Sequence, residues 1–231
     1  MQWKLFLVVV LSLVPSRAVA GSIFANRLED PQAIYLSAPE FDARGDGAAD
    51  DSAAIQKAID RAASHGREGI VFVPSGRYRL TRTIFLWPGI RVIGLGETRP
   101  VFFLAPNTPG FQRGMGVMVT FTGLRPDEIK RMAMRVAFPP PGSVPPNDSI
   151  ADANPNTFYS AMSNIDFEIG DGNAAAVAVR FHVAQHSYLS HMDFHVGSGL
   201  AALTQVGNEA EDLHFFGGRY GILTEKTSPA W

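Results

Sequence analysis

Three short stretches hold most of the residues able to do chemistry. Ile165-Asp166-Phe167-Glu168-Ile169-Gly170 returns as Met192-Asp193-Phe194-His195-Val196-Gly197 and, less perfectly, as Leu213-His214-Phe215-Phe216-Gly217-Gly218. The copies start 27 and then 21 residues apart. Side chains of a strand alternate between its faces, so the first, third and fifth positions bury an apolar set. Asp166, Asp193 and His214 then form one outward column, and Glu168, His195 and Phe216 the next. Strands of neighbouring coils lie about 4.8 Å apart. Carboxylates so placed fall near the separations of glycoside hydrolysis, where an inverting pair stands about 6.5–9.5 Å apart with water between. Glu168 and Asp193 lie diagonally, and His195 would tune either by its charge. The candidate catalytic residues are Asp166, Glu168, Asp193 and His195. The competing reading is a solvated sheet face whose charges pair along the stack.

The histidines also invite a metal. His182 and His186, like His191 and His195, are four residues apart, but on a strand that spacing is about 13 Å. A zinc holds its ligands near 2.1 Å, so no metal is expected, and no other cofactor. The sequence contains no Ser-His-Asp order, P-loop or dinucleotide fingerprint. With 20 Lys and Arg against 22 Asp and Glu, there is no basic footprint for nucleic acid and no polybasic membrane patch.

Elements must hold these columns in place. A second strand per turn is expected at Val177-Ala178-Val179-Arg180-Phe181-His182-Val183, whose alternation again buries an apolar set. Repeats of this length stack into a solenoid whose continuous core no single repeat could bury. Upstream, Phe41–Gly76 is the organising stretch. Ala43-Arg44-Gly45-Asp46-Gly47 is turn-rich, and Asp50, Asp51 and Ser52 are good N-caps. Ile55, Ala58, Ile59, Ala62 and Ala63 form one helical stripe. Gly66 is a plausible stop, after which Gly69–Val73 reads as a strand closed by Pro74-Ser75-Gly76.

This stretch resembles the N-terminal signature of the pectate-lyase-like superfamily, which includes rhamnogalacturonase and epimerase-like domains. The residues carrying the resemblance are Phe41–Gly47, Asp50-Asp51-Ser52, Ala54-Ile55 and Val71–Tyr78. It implies an all-β fold, a right-handed parallel β-helix with an N-terminal capping helix, in which Asp46, Asp50 and Asp51 are structural. A narrower resemblance covers Thr157–Ile222, which is similar to the first β-helix of the exo-β-1,3-glucanases of glycoside hydrolase family 55. That family implies two tandem β-helices with inverting cleavage at their junction, and a general-acid Glu in the second. Nothing before Trp231 matches that Glu. Within the resemblance His182 and Gln185 face the cleft, where Gln185 orients a water or binds a sugar hydroxyl. A ladder at the coil corner is the alternative for Gln185. Arg180, Tyr188 and Tyr159 are further candidate sugar contacts.

The rest of the chain frames this reading. Lys4, the apolar run Leu5–Val14 and Ala18-Val19-Ala20 have the form of a secretory signal peptide over residues 1–20. A secreted or periplasmic protein is therefore expected. The absence of cysteine leaves packing alone to hold an exported domain. Residues 21–40 read as an N-terminal arm and 41–231 as the β-helix. A Pro-rich insertion is expected over 105–156, with a strand at Val117–Phe121 and a helix at Pro126–Val136. After Gly218 the sequence opens another strand and stops, so the C-terminal end is expected to expose apolar side chains around Tyr220–Leu223. A second β-helix domain or an oligomeric partner would cover it. The functional expectation is an exported polysaccharide-degrading glycoside hydrolase, β-1,3-glucanase-like or pectinolytic, acting on a polysaccharide or oligosaccharide. Its rivals are a lyase and a non-catalytic β-helix for glycan binding or surface assembly.

Overall fold

The computed structural model describes residues 21–125, 128, 153 and 157–224, apart from 27, 65 and 67. The signal peptide, the helix expected at Pro126–Val136 and most of the Pro-rich segment lie outside the described residues. The strands stack as coils of a right-handed parallel β-helix. The first full coil is β3 (Gly69–Pro74), β4 (Arg77–Leu80) and β5 (Ile84–Leu86). The second is β6 (Ile90–Leu95), β7 (Val101–Leu104) and β8 (Gly116–Phe121), and the third is β9 (Ala161–Ser163), β10 (Asp166–Ile169) and β11 (Ala176–Arg180). The fourth uses one long bent strand, β12 (Tyr188–Gly197), followed by β13 (Ala201–Thr204). The last repeats this plan with β14 (Glu209–Gly217) and β15 (Tyr220–Leu223). Two short strands, β1 (Ile34–Tyr35) and β2 (Asp46–Asp50), begin the stack by pairing with β3 and β4.

Three faces result. Sheet I stacks β1, β3, β6, β9 and the first halves of β12 and β14, and sheet II stacks β2, β4, β7, β10 and the second halves. Sheet III stacks β5, β8, β11, β13 and β15. The bend between sheets I and II falls on Asn164, His191 and Asp212, all with left-handed φ of 60°, 55° and 48°. An L side chain adopts that backbone at a cost, and Asn and Asp tolerate it best. Asn164 also donates through Nδ2 to Gly94 O at 2.8 Å. The backbone approaches so closely there that a Cβ on Gly94 would sit 1.9 Å from Asn164 O.

The register expected from the repeats is the one observed. Phe167 pairs Phe194, and Asp193 pairs His214. The inner column of sheet II runs further than the repeats indicate, as Tyr78, Phe102, Phe167, Phe194 and Phe215. Its successive ring centroids are 5.9, 5.8, 5.4 and 5.5 Å apart. Rings at this spacing add to the burial that stabilises each coil on the next.

The helix α1 (Ser52–Ser64) buries Ile55, Ala58, Ile59 and Ala62 against the ends of β3 and β5. Its start differs in detail from the capping expected. Asp50, not Asp51, receives the Ser52 N–H and the Ser52 hydroxyl, at 3.0 and 2.6 Å. The buried Asp51 carboxylate turns back to accept the N–H groups of Arg44 and Gly45 at 2.7 and 3.1 Å. Burial raises the Asp51 carboxyl above its usual range. These aspartates are thus structural. At the other end the Arg125 guanidinium donates to Ala63 O and Gly66 O, at 2.5 and 2.6 Å, filling the place of the helix's missing donors.

Of the expected N-terminal arm, Ile34–Tyr35 joins sheet I as β1, and Phe24, Ala33 and Tyr35 pack with Phe72, Ile93 and Leu95 on that sheet's outer side. Among the described residues no helix is long and apolar enough to cross a membrane. At the far end Tyr220 and Ile222 are exposed and Leu213 and Phe215 only half-buried.

Candidate functional site

The four candidate catalytic residues share the outer face of sheet II, on neighbouring parallel strands. Asp166 and Glu168 lie on β10, and Asp193 and His195 follow on β12. The two columns then separate in character. Asp166 and Asp193 were expected in solvent, yet each is only 7% exposed. The reason is Arg99, buried in the link between β6 and β7. Its Nε lies 3.0 Å from Asp166 Oδ1 and its Nη2 lies 2.9 Å from Asp193 Oδ2. These are ion-pair distances without hydrogen-bond alignment. The Asp193 N–H also donates to Asp166 Oδ1 at 2.8 Å. Two like charges stacked one coil apart repel, and a single guanidinium between them removes that repulsion.

Above this ionic floor sit groups that reach solvent. His214 Nδ1 is 2.9 Å from Asp193 Oδ1, so the buried carboxylate fixes the exposed imidazole. At the bend, His191 Nδ1 meets Asp212 Oδ2 at 2.5 Å and holds that carboxyl below its usual range. In the second column Glu168 Oε2 lies 3.1 Å from the guanidinium of Arg77, which reaches across from the first column and lies 4.7 Å from the Phe103 ring centroid. His195 stacks on Phe216 at 4.7 Å, with the planes 13° apart, and Phe216 is 48% exposed.

The expected substrate-binding residues do not join this face. Arg180 ends β11 on sheet III, is 2% exposed, and stands in register with Thr120 and Thr204. The cations on the acidic columns are Arg99 and Arg77, and neither is legible from the repeats because both lie outside them. The usable signal was the like-charge stack, which demands a cation. His182 and Gln185 lie in the connection from β11 to β12, His182 half-buried and Gln185 exposed. Among the described residues no three His, Asp or Glu side chains are close enough to hold a metal ion.

Burial pushes the Asp166 carboxyl from 3.8 up to about 6, with the Asp193 N–H and Arg99 pulling the other way. The folded protein therefore holds this proton more tightly than the unfolded chain. The stability it contributes is present below about pH 4 and is lost as pH rises through about 6. Urea unfolding between pH 4 and 7 should show this fall, and Asp166→Asn should flatten it by on the order of 2 kcal/mol. An equal slope in the variant would contradict the assignment.

Comparison with known proteins agrees with this architecture. Residues 35–230 match the model of the family described as rhamnogalacturonase A/epimerase, pectate lyase-like. The chain is 37% identical over 103 residues to mannuronan C5-epimerase AlgE3 of Azotobacter vinelandii, covering 40% of this chain and 6% of that protein. It is 40% identical over 60 residues to a glucan 1,3-β-glucosidase of Cochliobolus carbonum, covering 26% of this chain and 7% of that one. Among solved structures, PfbA, a surface adhesin of Streptococcus pneumoniae, aligns with a TM-score of 0.47 at 15% identity, over 80% of this chain and 39% of that one. The chain thus spans a small part of the curated relatives it matches and well under half of that structure. With most of its length under one family model and the coils that model implies, this chain belongs to the rhamnogalacturonase A/epimerase, pectate lyase-like family.

Proposed function

We propose that the protein lays a polysaccharide strand across the outer face of sheet II, as part of a polysaccharide-degrading glycoside hydrolase, β-1,3-glucanase-like or pectinolytic. One observation carries the reading. Glu168, His195 and Phe216 form an in-register row on successive parallel strands, half-exposed to exposed, and Arg77 reaches Glu168 from the neighbouring column. Its stacked rings offer an apolar platform to a sugar face, and its charged groups offer hydrogen bonds to hydroxyls. The relatives named as a mannuronan epimerase and a glucosidase support a polysaccharide as partner.

The chemistry open to this face follows from Arg99. Arg99 holds Asp193 as a buried ion-pair partner, so the inverting pair expected of Glu168 and Asp193 has an accessible carboxylate on the Glu168 side alone. Glu168 and His214 are the groups able to reach a glycosidic oxygen. With Nδ1 held by Asp193, His214 leaves Nε2, 3.7 Å from Asp212 Oδ1, as its atom able to meet a glycosidic oxygen. The locked aspartates also favour a second reading, a face that binds glycan without cleaving it. The same proposal places the protein in the periplasm or outside the cell. It also sets a second β-helix domain or an oligomeric partner against the β14–β15 edge, where Tyr220 and Ile222 are exposed.

Affinity electrophoresis of the full chain in laminarin and in polygalacturonate tests the binding. Phe216→Ala and His195→Ala should each weaken retention about tenfold, the order of a lost stacking contact. His214→Gln should keep retention while abolishing any release of reducing ends. Retention unchanged in both ring variants would refute the face as a binding site.

A further inference from the structure

A second set of observations lies at a different corner, where sheet III leads into sheet I. Extending the sheet I register by one or two residues places Glu68, Gly89, Tyr159 and His186 in one column of successive coils. Gly89, Tyr159 and His186 share the same left-handed backbone, with φ of 78°, 59° and 61°. The conformation is cheap for glycine and costly for tyrosine and histidine. Glycine leaves the column bare on its second coil, whereas the next two coils project rings. Tyr159 and His186 stack at 5.0 Å with planes 7° apart, and Phe158 lies 6.3 Å from Tyr159. Tyr159 is 40% exposed and Phe158 36%.

Where the column is bare there is a cavity of about 470 Å³, lined in part by Asp30, Glu68, Gly89 and Arg91. Its size falls within the range of small-molecule sites, about 300–1,000 Å³. Arg91 Nε is buried with no hydrogen-bond partner among the described residues, and its Nη2 stands 3.9 Å from Glu68 Oε2, long for an ion pair. A buried donor without an acceptor is costly, and an incoming acceptor would relieve it. Guanidinium and carboxylate side by side match the alternating acceptor and donor roles of sugar hydroxyls. Two carboxylates against one guanidinium disfavour an anionic ligand. From Gly89 to His186 is two coil spacings, about 10 Å, so one chain could run from the cavity onto the rings.

We propose that this corner is a second carbohydrate-binding site for a neutral oligosaccharide, with its terminal sugar in the cavity at Arg91 and the following sugars over Tyr159 and His186. It rests on the reading above for the class of ligand, and sheet I separates it from the sheet II face. Titration of the isotopically labelled full chain with laminarihexaose, followed by backbone amide shifts, tests it. Shifts are expected at Gly69, Gly89 and His186. Arg91→Gln and Tyr159→Ala should each weaken the affinity read at those amides at least tenfold, and Phe216→Ala should leave it unchanged. Shifts confined to β10 and the second half of β12, or no shifts at millimolar ligand, would overturn the proposal. The first of those outcomes would leave the sheet II reading standing. Shifts at the corner alone would support this site and count against sheet II. The wild-type shift map decides the matter even where a variant fails to fold.

Discussion

Arg99→Met is expected to destabilise the protein by about 3–5 kcal/mol at neutral pH, the cost of removing one partner from a buried ion cluster. The guanidinium is the cation that Asp166 and Asp193 share, and both carboxylates are nearly inaccessible. Without it two stacked anions face each other across one coil spacing. The loss should shrink at pH 4, where protonation removes the repulsion that Arg99 otherwise offsets. Asp166→Asn in the Arg99→Met background should likewise restore part of the stability at pH 7. Chemical denaturation of the three proteins at both pH values reads these differences. A small, pH-independent effect of Arg99→Met would show that the cluster is a solvated surface pair, worth about 0–1 kcal/mol.

Phe167→Ala should cost about as much, roughly 3–5 kcal/mol, for a different reason. Phe167 is the central ring of the inner column, fully buried and packed at 5.8 Å on Phe102 and 5.4 Å on Phe194. Its removal opens a cavity that neighbours on two coils cannot fill, and breaks two ring contacts of about 0.5–1.5 kcal/mol each. Phe215→Ala is the control. That ring has one neighbour in the column, Phe194, and is only half-buried, so less than half the loss is expected. Equal losses from the two variants in urea unfolding would mean that the column does not carry the core.

The contrast between these residues explains what the sequence made legible. Phe167 and Phe194 sit inside a repeat, so alternation and offset were enough to give their face, their pairing and the coil they belong to. The aspartates were legible to the same degree, as neighbours in one outward column. Their environment was not, because Arg99 comes from a link between strands that no periodicity marks. Tyr78 and Phe102 belong to the same inner column, but their coils lack the repeated aspartate that flags the later ones. His191 and Asp212 look like ordinary strand residues, whereas both occupy the left-handed bend between sheets I and II. His182 and Gln185 were placed by likeness to a cleft, and Arg180 as a sugar contact beside them. The coil instead sends them to sheet III and its exit, away from the aspartates.

The claim on which the account turns is that a polysaccharide lies on the outer face of sheet II. Hydrogen exchange of the full chain, with and without a saturating polysaccharide from the retention experiment, tests it most directly. Slower exchange is expected in peptides covering β10, the second half of β12 and the second half of β14, where Glu168, His195 and Phe216 form the row. Protection of sheet III peptides alone, with these three unchanged, would contradict it.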